Sequence, residues 1–150
     1  MTSSIELEPL ESDGFAGHVS PATCWQVLSA DGDAILVDVR TQAEWQYVGL
    51  PDLSGLGKQT LCVEWQSYPD LQVNPAFAEQ LRPHVGTATA PLFFICRSGV
   101  RSMAAARVMT SEGHTPCYNV AGGFEGDTDA HGHRANVNGW KFADLPWRQN

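Results

Sequence analysis

Nowhere in the 150-residue sequence do 18 apolar residues run together, so no membrane-spanning helix is expected. The opening MTSSIELEPLESDG has neither a basic n-region nor an apolar h-region, and a cytoplasmic location is expected. Basic residues are scarce: nine Lys and Arg against 17 Asp and Glu leave a net charge of −8. That balance argues against nucleic acid and anionic membrane as partners, since both call for broad basic surfaces. Cysteine is scarce too. Cys24, Cys62, Cys96 and Cys117 show no C-x-x-C spacing and no zinc pattern, and a disulfide framework does not suit a reducing compartment. No metal and no cofactor are expected. One local absence points toward a ligand. Acidic residues are missing from 80 to 111, the window that holds Arg82, Arg97, Arg101 and Arg107, which suggests a cationic site for a small anion.

What is present suits one soluble globular domain. Hydrophobic residues make up 43% and charged residues 17%, and a chain of this length buries about two-thirds of its unfolded surface. Helix and strand signals alternate. Ser20 as N-cap, Pro21 at the first position and Gly32 beyond the end frame a short helix. AILVDV is a near-continuous apolar run, as in a strand buried on both faces. Thr41-x-x-Glu44 is a capping box opening a second helix. After the turn-rich LPDLSGLGKQ, TLCVEW is expected as a strand, and NPAFAEQLRP as a helix capped by Asn74 and closed by Pro83. PLFFIC is the next buried strand, SMAAARVMTSEG a helix ended by Gly113, and TPCYNV a last strand. The alternation predicts an α/β fold with a largely parallel sheet.

Chemistry in such sheets collects at the carboxyl ends of strands. Cys96 falls at one of these ends, where CRSGVRS joins a buried strand to a helix N-terminus. Free N–H groups and the helix dipole there favour a thiolate, and neighbouring arginines favour it further. Gly99 allows the loop backbone to close around a ligand. Cys24, Cys62 and Cys117 lie among apolar neighbours and are expected to be small buried hydrophobes.

Four ordered segments, LVDVRTQAEW, CRSGVRS, NVAGGFEG and NGWKFADLPW, resemble the single-domain rhodanese, or thiosulfate sulfurtransferase, family. The likeness divides the chain into an N-terminal extension, residues 1–16, and a rhodanese-like domain, residues 17–150. It implies a central, mostly parallel sheet with helices on both faces. It also implies a sulfurtransferase in which Cys96 takes a sulfane sulfur from thiosulfate or a related donor and passes it to a thiophile as a persulfide. The N–H groups of Arg97, Ser98, Gly99, Val100, Arg101 and Ser102 would cradle the persulfide, and Arg97 and Arg101 would hold the sulfonate of the donor. Partners so implied are a small anionic sulfur donor, a thiol or cyanide acceptor and a protein sulfur acceptor, on a monomer or homodimer.

Where the family usually has Gly-His-Ile-x-Gly-Ala, this chain has VGLPDLSGLGK, and DTDAHGHRANV, residues 127–137, is an insertion. His131 and His133 in that insertion are expected to belong to a polar surface loop, not a metal site. Asp38, Arg40 and Glu44 are expected to form a structural ion-pair brace, Arg107 to be structural or on the surface, and Gly122 and Gly123 to let a turn pass near the active loop. Two other readings stand behind the enzyme. One is a non-catalytic rhodanese-like binding or regulatory module, which typically lacks the cysteine. The other is a cysteine-dependent phosphatase or arsenate reductase, which needs C-x5-R, whereas here Ser102 stands six after Cys96 and the arginine comes at 101.

Overall fold

The computed structural model of the chain describes residues 14–67, 70–85, 89–114 and 116–149; the expected N-terminal extension lies for its first 13 residues outside them. Strand β1 (Gly17–Val19) leads into helix α1 (Pro21–Ala30), whose cap Ser20 accepts the Thr23 N–H at 3.1 Å. β2 (Ile35–Asp38) is followed by α2 (Gln42–Tyr47). Its capping box is complete: the Glu44 N–H donates to Thr41 Oγ1 at 3.3 Å and the Thr41 N–H to Glu44 Oε1 at 3.1 Å. Then come β3 (Leu50–Pro51), β4 (Leu61–Cys62), and the hairpin of β5 (Gln66–Ser67) and β6 (Gln72–Val73). α3 (Phe77–Leu81), β7 (Leu92–Ile95), α4 (Val100–Ser111), β8 (Cys117–Val120) and β9 (Trp147–Arg148) complete the chain.

β1, β8, β7, β2 and β4 form one parallel sheet in that order. The expected α/β architecture is the observed one, and the period-2 geometry of strands explains the burial of β7. Leu92 and Phe94 face Phe77, Leu81, Ala105, Ala106 and Met109 of α3 and α4. Phe93 and Ile95 face Cys24, Val27 and Leu28 of α1, together with Trp140. A run apolar at every position is what a strand covered on both faces requires.

The strand order also places the site. From β2 the chain moves outward to β4, and from β7 it moves the opposite way to β8. Right-handed crossovers in opposite directions put their helices on opposite faces and open a crevice between the carboxyl ends of the two diverging strands. Those strands are neighbours, with Asp38 opposite Ile95. The residues that follow them, Val39 to Thr41 and Cys96 to Ser102, therefore flank one crevice.

Four expectations are corrected. The TLCVEW strand shortens to Leu61–Cys62, although the Val63 and Trp65 N–H groups still follow the chain after β2, donating to Asp38 O and Val39 O at 3.1 Å each. Cys62 is exposed, because β4 is the edge of the sheet and leaves one side without a neighbour. Asn74 does not cap α3: its Oδ1 accepts the Ala76 N–H at 3.0 Å in an Asx turn, and the helix starts only at Phe77. Pro83 falls inside a 3₁₀ turn, Arg82–His84, that continues α3. Among the described residues no helix is long and apolar enough to cross a membrane.

Candidate active site

Cys96 directly follows β7, with only 1% of its surface exposed. Its Sγ accepts the Gly99 N–H at 3.0 Å. Gly99 is the N-cap of α4 and has no side chain to cap it, and the sulfur takes the N–H of the cap residue itself, at the positive end of the helix. The turn that allows this has Gly99 at φ +125°, in the left-handed region that favours glycine. Behind the loop, the Phe124 N–H donates to Cys96 O at 2.7 Å, and the Glu125 and Gly126 N–H groups to Arg97 O at 3.0 and 3.1 Å. Gly123 makes this approach feasible: a Cβ there would stand 2.5 Å from Cys96 O.

Ser102, in the first turn of α4, is fully buried and lies with its Oγ 3.2 Å from Cys96 Sγ. Its hydroxyl also reaches Gly99 O at 3.2 Å and hydrogen-bonds to Asn119 Oδ1 on β8. Asn119 Nδ2 lies 2.9 Å from His18 Nδ1 on β1. Sequence reasoning found Ser102 as part of the loop but missed Asn119 and His18, which come from the two neighbouring strands. The one signal for them was a polar residue in an otherwise apolar strand, Asn119 in CYNV.

The charges differ from the expected pattern. Arg101 grips Glu44 bidentately, Nη1 to Oε1 at 2.7 Å and Nη2 to Oε2 at 3.0 Å. Burial raises the Glu44 pKa, but hydrogen bonds from Arg101 and the Thr41 N–H outweigh it and hold the carboxyl at about 2. Asp38 and Arg40 form the expected brace, fully buried with Nη2 to Oδ2 at 2.7 Å, and Arg40 adds a bond to Gly49 O at 2.6 Å. Glu44, expected in the same brace, belongs instead to Arg101. The Arg40 guanidinium lies 4.3 Å over the Phe124 ring, so the brace ties the end of β2 to the turn that backs the Cys96 loop.

A cleft of about 410 Å³ opens at this end of the sheet, lined by Thr41, Glu44, Val48, Gln66, Leu71, Arg97, Arg101 and Glu125. Two arginines thus face two carboxylates. The acid-free window of the sequence is not an acid-free site, because α2 and the turn after β8 bring Glu44 and Glu125 to the mouth. Arg97 is exposed, and among the described residues it has no carboxylate within ion-pairing distance. Ser98 is half-buried and Val100 is 72% exposed on the outer side of the first helical turn.

The other cysteines are set differently. Burial pushes the Cys24 thiol far above its ordinary value and Cys117 up to about 11, and Cys117 donates to His114 O at 3.1 Å. Cys62 lies exposed at the sheet edge. His131 and His133 are exposed, and the loop that holds them closes on Asp129, whose Oδ1 accepts both their N–H groups. Among the described residues no group of three or more His, Cys, Asp or Glu is placed to hold a metal.

The same architecture recurs in solved proteins. The crystal structure of Rv0390 from M. tuberculosis superposes with a TM-score of 0.84 at 48% identity, covering 91% of this chain and 99% of that one. The polysulfide-sulfur transferase homodimer of Wolinella succinogenes shares the fold at a TM-score of 0.57 and 20% identity, over 93% of this chain and 82% of its own. An uncharacterized protein of Rickettsia rickettsii, an RP600 homolog, is 37% identical over 131 residues, which are 87% of this chain and 96% of that protein. The STR4 middle domain family matches residues 16–150, and the chain belongs to that family.

Proposed function

We propose that the protein is a sulfurtransferase working through a persulfide on Cys96. The observation that carries the reading is the seat of the Cys96 sulfur, on the Gly99 N–H at the N-terminus of α4. A negative sulfur would meet there one fixed donor, the Gly99 N–H, that needs no rearrangement. The fold shared with the Wolinella succinogenes polysulfide-sulfur transferase supports a rhodanese-type chemistry.

In the first half-reaction the Cys96 thiolate attacks the outer sulfur of thiosulfate. A sulfur–sulfur bond forms to Cys96, the bond to the sulfonate sulfur breaks, and sulfite leaves with its electron pair. In the second, cyanide or a thiolate attacks the outer sulfur of the persulfide, and the Cys96 thiolate is returned. No external oxidant or reductant is needed. Among the described residues that line the cleft, Arg97 has no carboxylate partner and would meet a sulfonate, whereas two of the five Arg101 donors are committed to Glu44. The loop closes with its arginine at 101, one position short of the spacing that a phosphate cradle uses, and this favours sulfur over phosphate.

Sulfur transfer to cyanide, measured side by side from thiosulfate and from mercaptopyruvate, tests the reading. Turnover from at least one donor, abolished in Cys96→Ser, is expected. Absence of turnover from either, with Cys96 reduced, would contradict it.

A further inference from the structure

Four side chains from four elements form one hydrogen-bonded line: Cys96 after β7, Ser102 in α4, Asn119 in β8 and His18 in β1. Ser102 has a single proton to give. In the observed arrangement Asn119 turns Oδ1 to Ser102 and Nδ2 to His18. Nδ1 of His18 then accepts, its ring proton sits on Nε2, and the Ser102 proton is spent on Asn119. Ser102 offers Cys96 only lone pairs, which suit a thiol S–H and not a thiolate.

Put a proton on His18 Nδ1 and the line reverses. Nδ1–H needs an acceptor, so the Asn119 amide turns over, Oδ1 faces His18 and Nδ2 donates to Ser102. The Ser102 proton then has two acceptors, Gly99 O and the Cys96 sulfur, each 3.2 Å away, and a thiolate, carrying the full charge, draws it to the sulfur. We propose that His18 and Asn119 are positioning residues that decide, through the Ser102 hydroxyl, whether a hydrogen bond is donated to the Cys96 sulfur. The proposal rests on the sulfurtransferase reading only in taking Cys96 as the reactive nucleophile.

The surroundings of His18 leave this exchange to Asn119. Phe15 meets the imidazole edge-on at 5.3 Å. Among the described residues, the titratable neighbour on this face of β8 is Cys117, whose thiol already donates to His114 O. Tyr118, opposite Gly17, packs on the other face with Phe93. Of the charged side chains of α4, Arg107 lies 5.5 Å over the Phe15 ring and Arg101 is paired with Glu44.

The test reads the thiolate directly, without sulfur chemistry. Alkylation of Cys96 by iodoacetamide is followed by peptide mass against pH in the wild type, His18→Phe, His18→Asn, Ser102→Ala and the double variant His18→Phe/Ser102→Ala, each checked for folding by circular dichroism. On the acid side, the wild type is expected to retain an alkylation rate about tenfold above His18→Phe, the worth of one hydrogen bond to a charged sulfur. His18→Asn hydrogen-bonds from the Nδ1 position but does not titrate, so it too should lose the acid-side shoulder; it carries the test alone if His18→Phe does not fold. In the Ser102→Ala background His18→Phe should change nothing. A shoulder that survives in His18→Asn would overturn the proposal. So would an effect of His18→Phe that persists without the Ser102 hydroxyl, because His18 would then act by its charge and not through the line. A protein that shows the His18-dependent profile yet transfers no sulfur would keep this inference and lose the functional reading.

Discussion

Arg101 and Glu44 are 57 positions apart in the chain and meet in two parallel hydrogen bonds of 2.7 and 3.0 Å. The pair joins the first turn of α4, where Cys96 has its donor, to the first turn of α2, where Glu44 also completes a capping box. It sets both the charge of the cleft and the freedom of Arg101 to meet a donor.

Glu44→Gln keeps an acceptor for the Thr41 N–H and removes the charge that holds Arg101. With Arg101 released toward the cleft, the KM for thiosulfate is expected to fall about fivefold, the worth of one partly exposed charge contact. Steady-state kinetics measure it, and a raised KM would show that Arg101 serves the site best while paired.

The same carboxyl sets an acid limit on stability. Its folded pKa of about 2 lies below the ordinary glutamate value of 4.5. A depressed carboxyl contributes stability that is fully present above its unfolded value and is lost as pH falls toward the folded one. Denaturant unfolding should therefore weaken more steeply between about pH 4.5 and 2 in the wild type than in Glu44→Gln. Parallel pH profiles for the two would contradict the assignment.

Gly123→Ala places a Cβ 2.5 Å from Cys96 O at a residue with φ +64°. Backbone must move, because the obstacle is a carbonyl and not a flexible side chain. A loss of about 2 kcal/mol or more is expected in urea unfolding, with sulfur transfer falling further than stability alone explains. An unchanged midpoint would mean that the turn after β8 does not brace the loop.

With p-nitrophenyl phosphate, the protein should turn over no faster than Cys96→Ser, because its cradle closes at position 101. Cysteine-dependent phosphate release would move the chemistry to another class.

Local signals in the sequence translated well into local structure. Ser20 and Pro21 start α1, Thr41 and Glu44 cap α2, and the apolar runs before Asp38 and Cys96 are the two central strands. These features depend on neighbours within a few residues. Contacts that depend on the sheet order were not legible: the Glu44 carboxylate on Arg101, Glu125 at the cleft, and Asn119 and His18 behind Ser102. Cys62 shows why apolar company alone misleads. It sits between Leu61 and Val63 as a buried residue would, but burial depends on a neighbouring strand, and at the edge of the sheet one side has none. Asn74 followed by Pro75 suited a helix cap or an Asx turn equally, and the backbone took the turn.

The most direct measurement is the mass of the protein after thiosulfate is added without an acceptor, followed by peptide mapping. One added sulfur atom is expected on the peptide holding Cys96, released by cyanide and absent from Cys96→Ser, while Cys24→Ser, Cys62→Ser and Cys117→Ser still load. Sulfur found on exposed Cys62, or retained in Cys96→Ser, would contradict the assignment of Cys96 as the carrier.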